Sequence, residues 1–299
     1  MPTHKAPKTL LREWEAAQAD GVNQQQFATL NHLPLHALLS RLDTARRERE
    51  ISGKAEFSLG QPLKLEGDWM IIGDVHIPFV DYDFANLVSM VARKNLKKPR
   101  RLLIAGDFFN MDTFSTYAHL TNIPTWAEER RAARGLFDEW FDTFTEIVCI
   151  MGNHDRRLQK FTGGAFDDTD IIGLVGINNP ERIKSSNYGW CTVESGGQVY
   201  RVTHPKNYSV QTLNVADTLA NKFGSHIISF HEHHLALGWD RYKRYITVNG
   251  GCLVDDSKVA YMTLDDTKSA RGARGFVMLR GGVPHLFGEA PFTDWSRWV

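Results

Sequence analysis

Cysteine is scarce in this chain of 299 residues: Cys149, Cys191 and Cys252 are widely scattered, with no C-x-x-C pair. That spacing argues against a disulfide framework or a thiolate zinc cluster. The three read instead as small buried hydrophobes in a reducing compartment. An excess of charge of one sign is also missing. With 35 basic and 35 acidic residues the net charge is zero, so no global field draws the chain to nucleic acid or to a membrane. A polyanion site must then come from local charge or from bound metal. No apolar run approaches the roughly 20 residues needed to cross a bilayer. The opening MPTHKAPKTLLREWE lacks the apolar stretch of a secretory signal. The expectation is a soluble cytoplasmic protein with no membrane partner. Internal repeats and low-complexity tracts are absent too. What remains is an ordinary globular composition, 42% hydrophobic and 23% charged, with enough length for one large domain and a small appendage.

Three stretches differ in pattern. Residues 1–50 read as a small all-helical segment. The spacing of Leu10, Leu11, Trp14 and Ala17 predicts a helix over 10–19. Asn23 caps a second helix through Leu30, and Asn31-His32-Leu33-Pro34 turns the chain into a third, Leu35 to about Glu50, with Pro34 suited to its start. Helix, tight turn and helix with Arg41, Arg46, Arg47 and Arg49 on the last element resembles a helix-turn-helix module. Two roles stay open for it: contact with DNA or RNA, or docking that makes a homo-oligomer. Residues 51–67, containing Gly and Pro without periodicity, read as a linker. From 68 to 299 apolar runs alternate with helical stretches. Strands are expected at 69–72, 102–105 and 146–150, and helices at 84–95 and 126–144. After residue 185 strands dominate, at 190–194, 199–203, 227–230, 245–248, 261–264, 276–279 and 283–287. An α/β start with a strand-rich end suits two packed mixed sheets with helices outside.

Chemistry gathers where strands end. The first three run into Gly73-Asp74-Val75-His76, Gly106-Asp107-Phe108-Phe109-Asn110 and Gly152-Asn153-His154-Asp155. Later strands run into Thr203-His204 and into Phe230-His231-Glu232-His233-His234. Glycine before each of the first three polar groups lets the chain turn sharply, at the sheet edge where α/β folds bind ligands. D-x-H and H-x-H each place two side chains on one side of an extended segment. Carboxylate oxygen with imidazole nitrogen suits Mn, Fe, Zn or Ni, and a shared carboxylate can bridge two ions that clamp a phosphoryl group. Any one such fragment is commonplace, whereas five in one order, each at a predicted strand end, are not.

The series D-x-H, G-D, G-N-H-D, isolated H and H-x-H resembles the calcineurin-like metallophosphoesterase superfamily over roughly residues 68 to 290. Thr247 to Cys252 (TVNGGC) stands where relatives often carry a related turn. The resemblance implies a two-sheet αββα sandwich and two divalent transition-metal ions, Mn ahead of Fe, Zn or Ni. It implies that Asp74, His76 and His233 hold one ion and Asn153, His204 and His231 the other, with Asp107 bridging. A water between the ions would then attack phosphorus. His154 would contact the phosphate and protonate the leaving oxygen, with Asp155 orienting that imidazole. The chain also departs from the family. Asn110 replaces the last Asp of G-D-x-x-D, and the arginine that follows in Ser/Thr protein phosphatases is absent. Phe230 replaces the usual Gly before H-x-H, Glu232 fills its centre, and His234 is extra.

Phosphate contacts are expected from Arg156 and Arg157 after G-N-H-D and from Lys206 and Asn207 after His204, with Arg241, Lys243 and Arg244 as further candidates. The basic run 93–101 reads as a solvated helix end away from the site. The expected substrate is a phosphoester, with the nuclease or phosphodiesterase reading placed first, on DNA or RNA. Alternatives are a phosphomonoester, a cyclic nucleotide or a phosphoprotein, and a non-catalytic binding protein ranks last.

Overall fold

The computed structural model describes residues 5–55, 61–115, 123–259 and 272–299. They divide into two compact units, with the break before Gln61. The first holds α1 (Pro7–Ala19), α2 (Gln24–Leu30) and α3 (Leu35–Ala55). Asn23 and Gln26 form a reciprocal capping box at the start of α2. Pro34 caps α3 from outside, its carbonyl accepting from Ala37 and Leu38, rather than occupying the first helical position. Leu10, Leu11, Trp14, Phe27, Ala28, Leu38, Leu42 and Ala45 close a small core of their own.

The 51–67 linker needs correction at both ends. Residues 51–55 continue α3, and Lys64–Glu66 forms β1, an edge strand parallel to β6 (Trp190–Ser195). Residues 56–60, like the strand expected at 261–264, lie outside the described residues.

The second unit is two mixed sheets of six strands flanked by helices. One sheet runs β12 (Val283–Gly288), β11 (Gly275–Arg280), β2 (Trp69–Ile72), β3 (Arg101–Ala105), β4 (Glu146–Ile150), β5 (Ile183–Ser186). Strands β2 to β5 are parallel, and β11 and β12 close the edge antiparallel. The other runs β1, β6, β7 (Gln198–Thr203), β8 (His226–Ser229), β10 (Ile246–Gly250), β9 (Leu235–Trp239). Period-two alternation assigns side chains to layers. Trp69, Ile71, Leu103, Val148 and Ile150 meet Cys191, Val193, Val202, Ile228 and Val248 between the sheets. Met70, Ile72, Leu102, Ile104 and Cys149 face the opposite way, toward α4 (Tyr82–Asn95) and α5 (Trp126–Phe141). Helix α8 (Asn214–Phe223) covers the other sheet by packing Ala216 and Ala220 on Ile227 of β8. The all-buried β2 (Trp-Met-Ile-Ile) is what a parallel strand covered on both faces requires.

Two expectations shift. Helix α5 ends at Phe141, where Asp142 caps it and the chain turns to bury Phe144. The basic run 93–101 is solvated as expected at Arg93, Lys94, Lys97 and Lys98, which are exposed. Its arginines also bind back: Arg93 Nε donates to Thr143 Oγ1 (2.9 Å), Arg100 Nη2 to the Arg93 carbonyl (2.9 Å), and Arg101 pairs with Glu146.

Candidate metal centre

Strands β2, β3 and β4 are neighbours, as are β7 and β8, so their C-terminal ends deliver the five motifs to one edge of the sandwich. Two clusters form there. Asp74, His76 and His233 bring one ligand atom each within 4.8 Å of one another, and so do Asp107, His204 and His231. Asn153 joins the second, its Oδ1 lying 3.2 Å from His204 Nε2. Asp107 lies between the two, since its carboxylate also groups with His76 and His154.

The motifs are not extended, contrary to the reading from spacing. Asp74, His76, Asp107, His231 and His233 all have φ between 49° and 85°. A left-handed residue with a side chain costs about 1–2 kcal/mol, and backbone contacts hold these in place. Asp74 N donates to the Gly106 carbonyl, Val75 N and His76 N to that of Asp107, and Leu253 N to that of Asp74.

The glycines also serve a different purpose from the expected one. Of the three, Gly106 alone has positive φ. What all three supply is space. A Cβ on Gly152 would lie 2.1 Å from Asp107 Oδ1, one on Gly106 2.5 Å from the His204 ring, and one on Gly73 2.5 Å from Phe230. Gly250 likewise yields to Phe230, at 2.3 Å. The Phe that replaces the usual family glycine is thus accommodated by two glycines facing it.

The donor set fits divalent metal. Asp74 Oδ1 is buried and has no hydrogen-bond partner among the described residues, yet His233 Nε2 and His76 Nε2 converge on it at 3.3 and 3.7 Å. Those two nitrogens are themselves only 3.3 Å apart. His204 Nδ1 is engaged by the Ala105 carbonyl at 3.0 Å, which turns Nε2 toward Asp107 Oδ2 at 3.2 Å and Asn153 Oδ1. Lone pairs facing oxygens call for a cation between them. The protonation balance agrees. Burial opposes charge throughout, but Asp107 and Asp74 outweigh it and lift His204 to about 9. Both carboxylates stay well below the usual range despite burial, held by the neighbouring imidazoles. Metal ions would replace those protons.

His154 is buried beside the clusters, its ring 4.6 Å from that of His76. The expectation that Asp155 orients it is corrected. Asp155 accepts from Phe109 N (2.9 Å) and Gly152 N (2.8 Å), tying the turns after β3 and β4 together. The imidazole is held by the Asn110 carbonyl at Nδ1 (3.0 Å), and Arg157 Nη2 stands 3.1 Å from Nε2. Side-chain reach explains the difference: adjacent residues in a tight turn diverge, and the Asp155 carboxylate points back toward the sheet ends.

The basic candidates separate. Arg157 lies at the clusters, whereas Arg156 Nη2 donates to the Asn187 carbonyl (2.7 Å). Lys206 and Asn207 are exposed after His204. Arg241 pairs with Asp217, and Arg244 with Asp240 and Asn221, so both stabilise the turn beside α8. Of the two further departures, Glu232 is buried and braces the loop after His204 by accepting from Ser209 N (3.1 Å) and Asn249 Nδ2 (3.1 Å). His234 is part-buried, with no partner at Nδ1 among the described residues.

Sequence reasoning missed Glu129, which lies on α5 and accepts from Met111 N at 2.9 Å. Burial, with the Asp112 charge adding, raises its carboxyl to about 8 against the opposing Met111 hydrogen bond. With the folded value above the unfolded one, this stability is full below about 4.5 and is lost as pH rises toward 8. Glu129→Gln cannot ionise, so it should gain about 2–4 kcal/mol over the wild type at pH 8 and little at pH 5. Urea unfolding at the two pH values checks this, and parallel pH profiles would show that the carboxyl ionises normally.

A sequence profile described as calcineurin-like phosphoesterase matches residues 69–269. Among solved structures, a single mutant of Vps29 from Entamoeba histolytica is similar at 13% identity, over 74% of this chain and 98% of that one, with TM-score 0.36. Vps29 from Chaetomium thermophilum gives 11% identity, 75% and 95% coverage and TM-score 0.38. A 5′-nucleotidase precursor from Thermus thermophilus gives 12%, 75% and 54%, with TM-score 0.32. No curated protein sequence matches significantly.

Proposed function

This chain belongs to the calcineurin-like phosphoesterase family, and on that premise we propose that it hydrolyses phosphodiester bonds in nucleic acid. The coarser activity, metal-dependent phosphoester hydrolysis, follows from the family together with the clustered Asp and His side chains. We assign Asp74, His76 and His233 to one ion, Asn153, His204 and His231 to a second, and Asp107 to both, with Mn first among the metals that suit such donors. Bound ions supply Lewis-acid polarisation of the phosphoryl group and activation of a water molecule.

The chain's own residues do the rest. His154 Nε2 and Arg157 Nη2 lie 3.1 Å apart, so a phosphate oxygen that reaches one reaches both. Burial holds the His154 imidazole neutral, its pKa pushed down to about 3. It must therefore take up a proton as the phosphoester binds before it can pass one to the leaving oxygen, a transfer that matters most for an alkoxide such as a sugar hydroxyl. Asp155 keeps the two turns that carry Asp107 and Asn153 in register.

The observation that carries nucleic acid as substrate is the first unit. Helices α2 and α3 are joined by the four-residue turn 31–34, and His36, Ser40, Thr44 and Arg46 are exposed along α3. A second helix of that kind is the element that enters a DNA groove. No helix among the described residues is long and apolar enough to cross a membrane, and the three cysteines are free and buried, which supports a cytoplasmic setting.

The test compares Mn-loaded chain on bis(p-nitrophenyl) phosphate, on p-nitrophenyl phosphate and on DNA and RNA oligonucleotides. Diester turnover should exceed monoester turnover by about tenfold or more, equivalent to about 1.4 kcal/mol in the barrier, with cleavage of at least one nucleic acid. Vigorous monoester turnover without diester or nucleic-acid cleavage would sink the proposal.

A further inference from the structure

Among the buried carboxylates at the site that belong to neither cluster, one lies against Arg157. Asp112 lies in the 3-10 turn Asp112–Phe114 after β3. Its Oδ1 accepts from Arg157 Nη1 at 2.6 Å and its Oδ2 from Asn110 Nδ2 at 2.6 Å. Arg157 Nη1 also donates to the Asn110 carbonyl at 2.8 Å, the same oxygen that His154 Nδ1 approaches at 3.0 Å. The other end of the Asn110 amide, Oδ1, stands 3.3 Å from His76 Nδ1. One asparagine therefore touches a proposed metal ligand, the imidazole beside it, the arginine and Asp112.

We infer that Asp112 is a positioning residue that fixes the Arg157 guanidinium against His154, so that the pair meets phosphate as one preset grip. The inference rests on the reading of His154 and Arg157 as phosphate contacts. A free arginine side chain carries about 2 kcal/mol of rotamer entropy. Two acceptors on Nη1 remove that freedom and leave Nη2 at the imidazole. Charge-assisted forks of this kind suit phosphate oxygens.

The same arrangement accounts for the departure at residue 110. An aspartate there would set a carboxylate oxygen about where Asn110 Nδ2 now lies, 2.6 Å from Asp112 Oδ2, and two buried like charges at that distance repel. The amide is required because the carboxylate stands two residues later. Exchanging the two residue types would preserve every link. The carboxylate moved to position 110 would accept from the amide moved to position 112 and face His76 Nδ1, while that amide's carbonyl would accept from Arg157.

The experiment is calorimetric binding of inorganic phosphate to the Mn-loaded full chain, with bound Mn counted for each variant. Asp112→Ala should weaken phosphate binding about ten- to hundredfold, the range for a lost hydrogen bond to a charged group, with Mn content unchanged. Arg157→Ala should weaken it as much, and the double variant no further than Arg157→Ala alone. Asn110→Asp should also weaken it, and Asn110→Asp/Asp112→Asn should recover most of the loss. Wild-type phosphate affinity in Asp112→Ala, or fully additive losses in the double variant, would overturn the inference. If Asp112→Ala does not fold, a paired exchange no better than Asn110→Asp overturns it instead. Phosphate binding needs no turnover, so a chain that cleaves no diester still decides this point.

Discussion

Asp107→Asn is expected to lower phosphodiester turnover by about a thousandfold or more while leaving the chain folded. The proposed donor set of seven contains two carboxylates, Asp74 and Asp107, to set against two divalent cations. Replacing one with an amide halves the anionic charge at the centre. The fold should tolerate the change, because the oxygen of the introduced amide can still accept from His154 N, as Asp107 Oδ1 does at 2.8 Å. The new amide hydrogens would meet His204 Nε2, now 3.2 Å from Asp107 Oδ2, and fill the direction from which that nitrogen would bind metal. Turnover of bis(p-nitrophenyl) phosphate at saturating Mn, with bound Mn counted by mass spectrometry, checks both halves. Activity within about tenfold of wild type with the metal content unchanged would remove Asp107 from its bridging role.

Gly152→Ala should lose about 3 kcal/mol of stability and most of the metal affinity. The added Cβ meets Asp107 Oδ1 at 2.1 Å and Asp107 N at 2.5 Å. Neither partner can retreat easily. Asp107 closely follows β3, whose ladder to β4 pairs Ala105 with Ile150, and Gly152 N is itself held by Asp155 Oδ2 at 2.8 Å. Gly135→Ala is the contrasting control. Gly135 lies inside α5 with nothing within 4 Å of its added Cβ, so alanine should raise stability by about 0.5–1 kcal/mol. Denaturant unfolding of both variants tests the pair. If Gly152→Ala were as stable as wild type, close approach would not be the reason for glycine there.

What the sequence made legible follows from local periodicity. Strands β2, β4 and β11 and helix α2 are strong local patterns, and the polar groups at strand ends stood out against apolar runs. Strands β5 (Ile-Lys-Ser-Ser) and β9 (Leu-Ala-Leu-Gly-Trp) did not. Both are edge strands, and neither has the continuous apolar burial of a central strand. In the site, residue identity reached the ligands but not their support. Asn110 was visible as a substitution, but its partner Asp112 becomes meaningful only when Arg157, 45 residues later, folds back onto it. Glu129 reads as an ordinary first-turn helix acid until α5 packs it under Met111. Adjacency in sequence misled at Asp155, whose partners are Phe109 and Gly152 instead of the neighbouring His154. The glycines were found for an incomplete reason, because side chains from other strands define the space they leave.

The proposed centre for two divalent ions lies at the ends of the strands where the two sheets meet. Calorimetric titration of metal-free chain with Mn tests it most directly. The arrangement of Asp74, His76 and His233 beside Asp107, Asn153, His204 and His231 predicts two ions bound per chain, and a clear reduction in Asp107→Asn. Binding of one ion or none by the wild-type chain would rule out the two-ion centre.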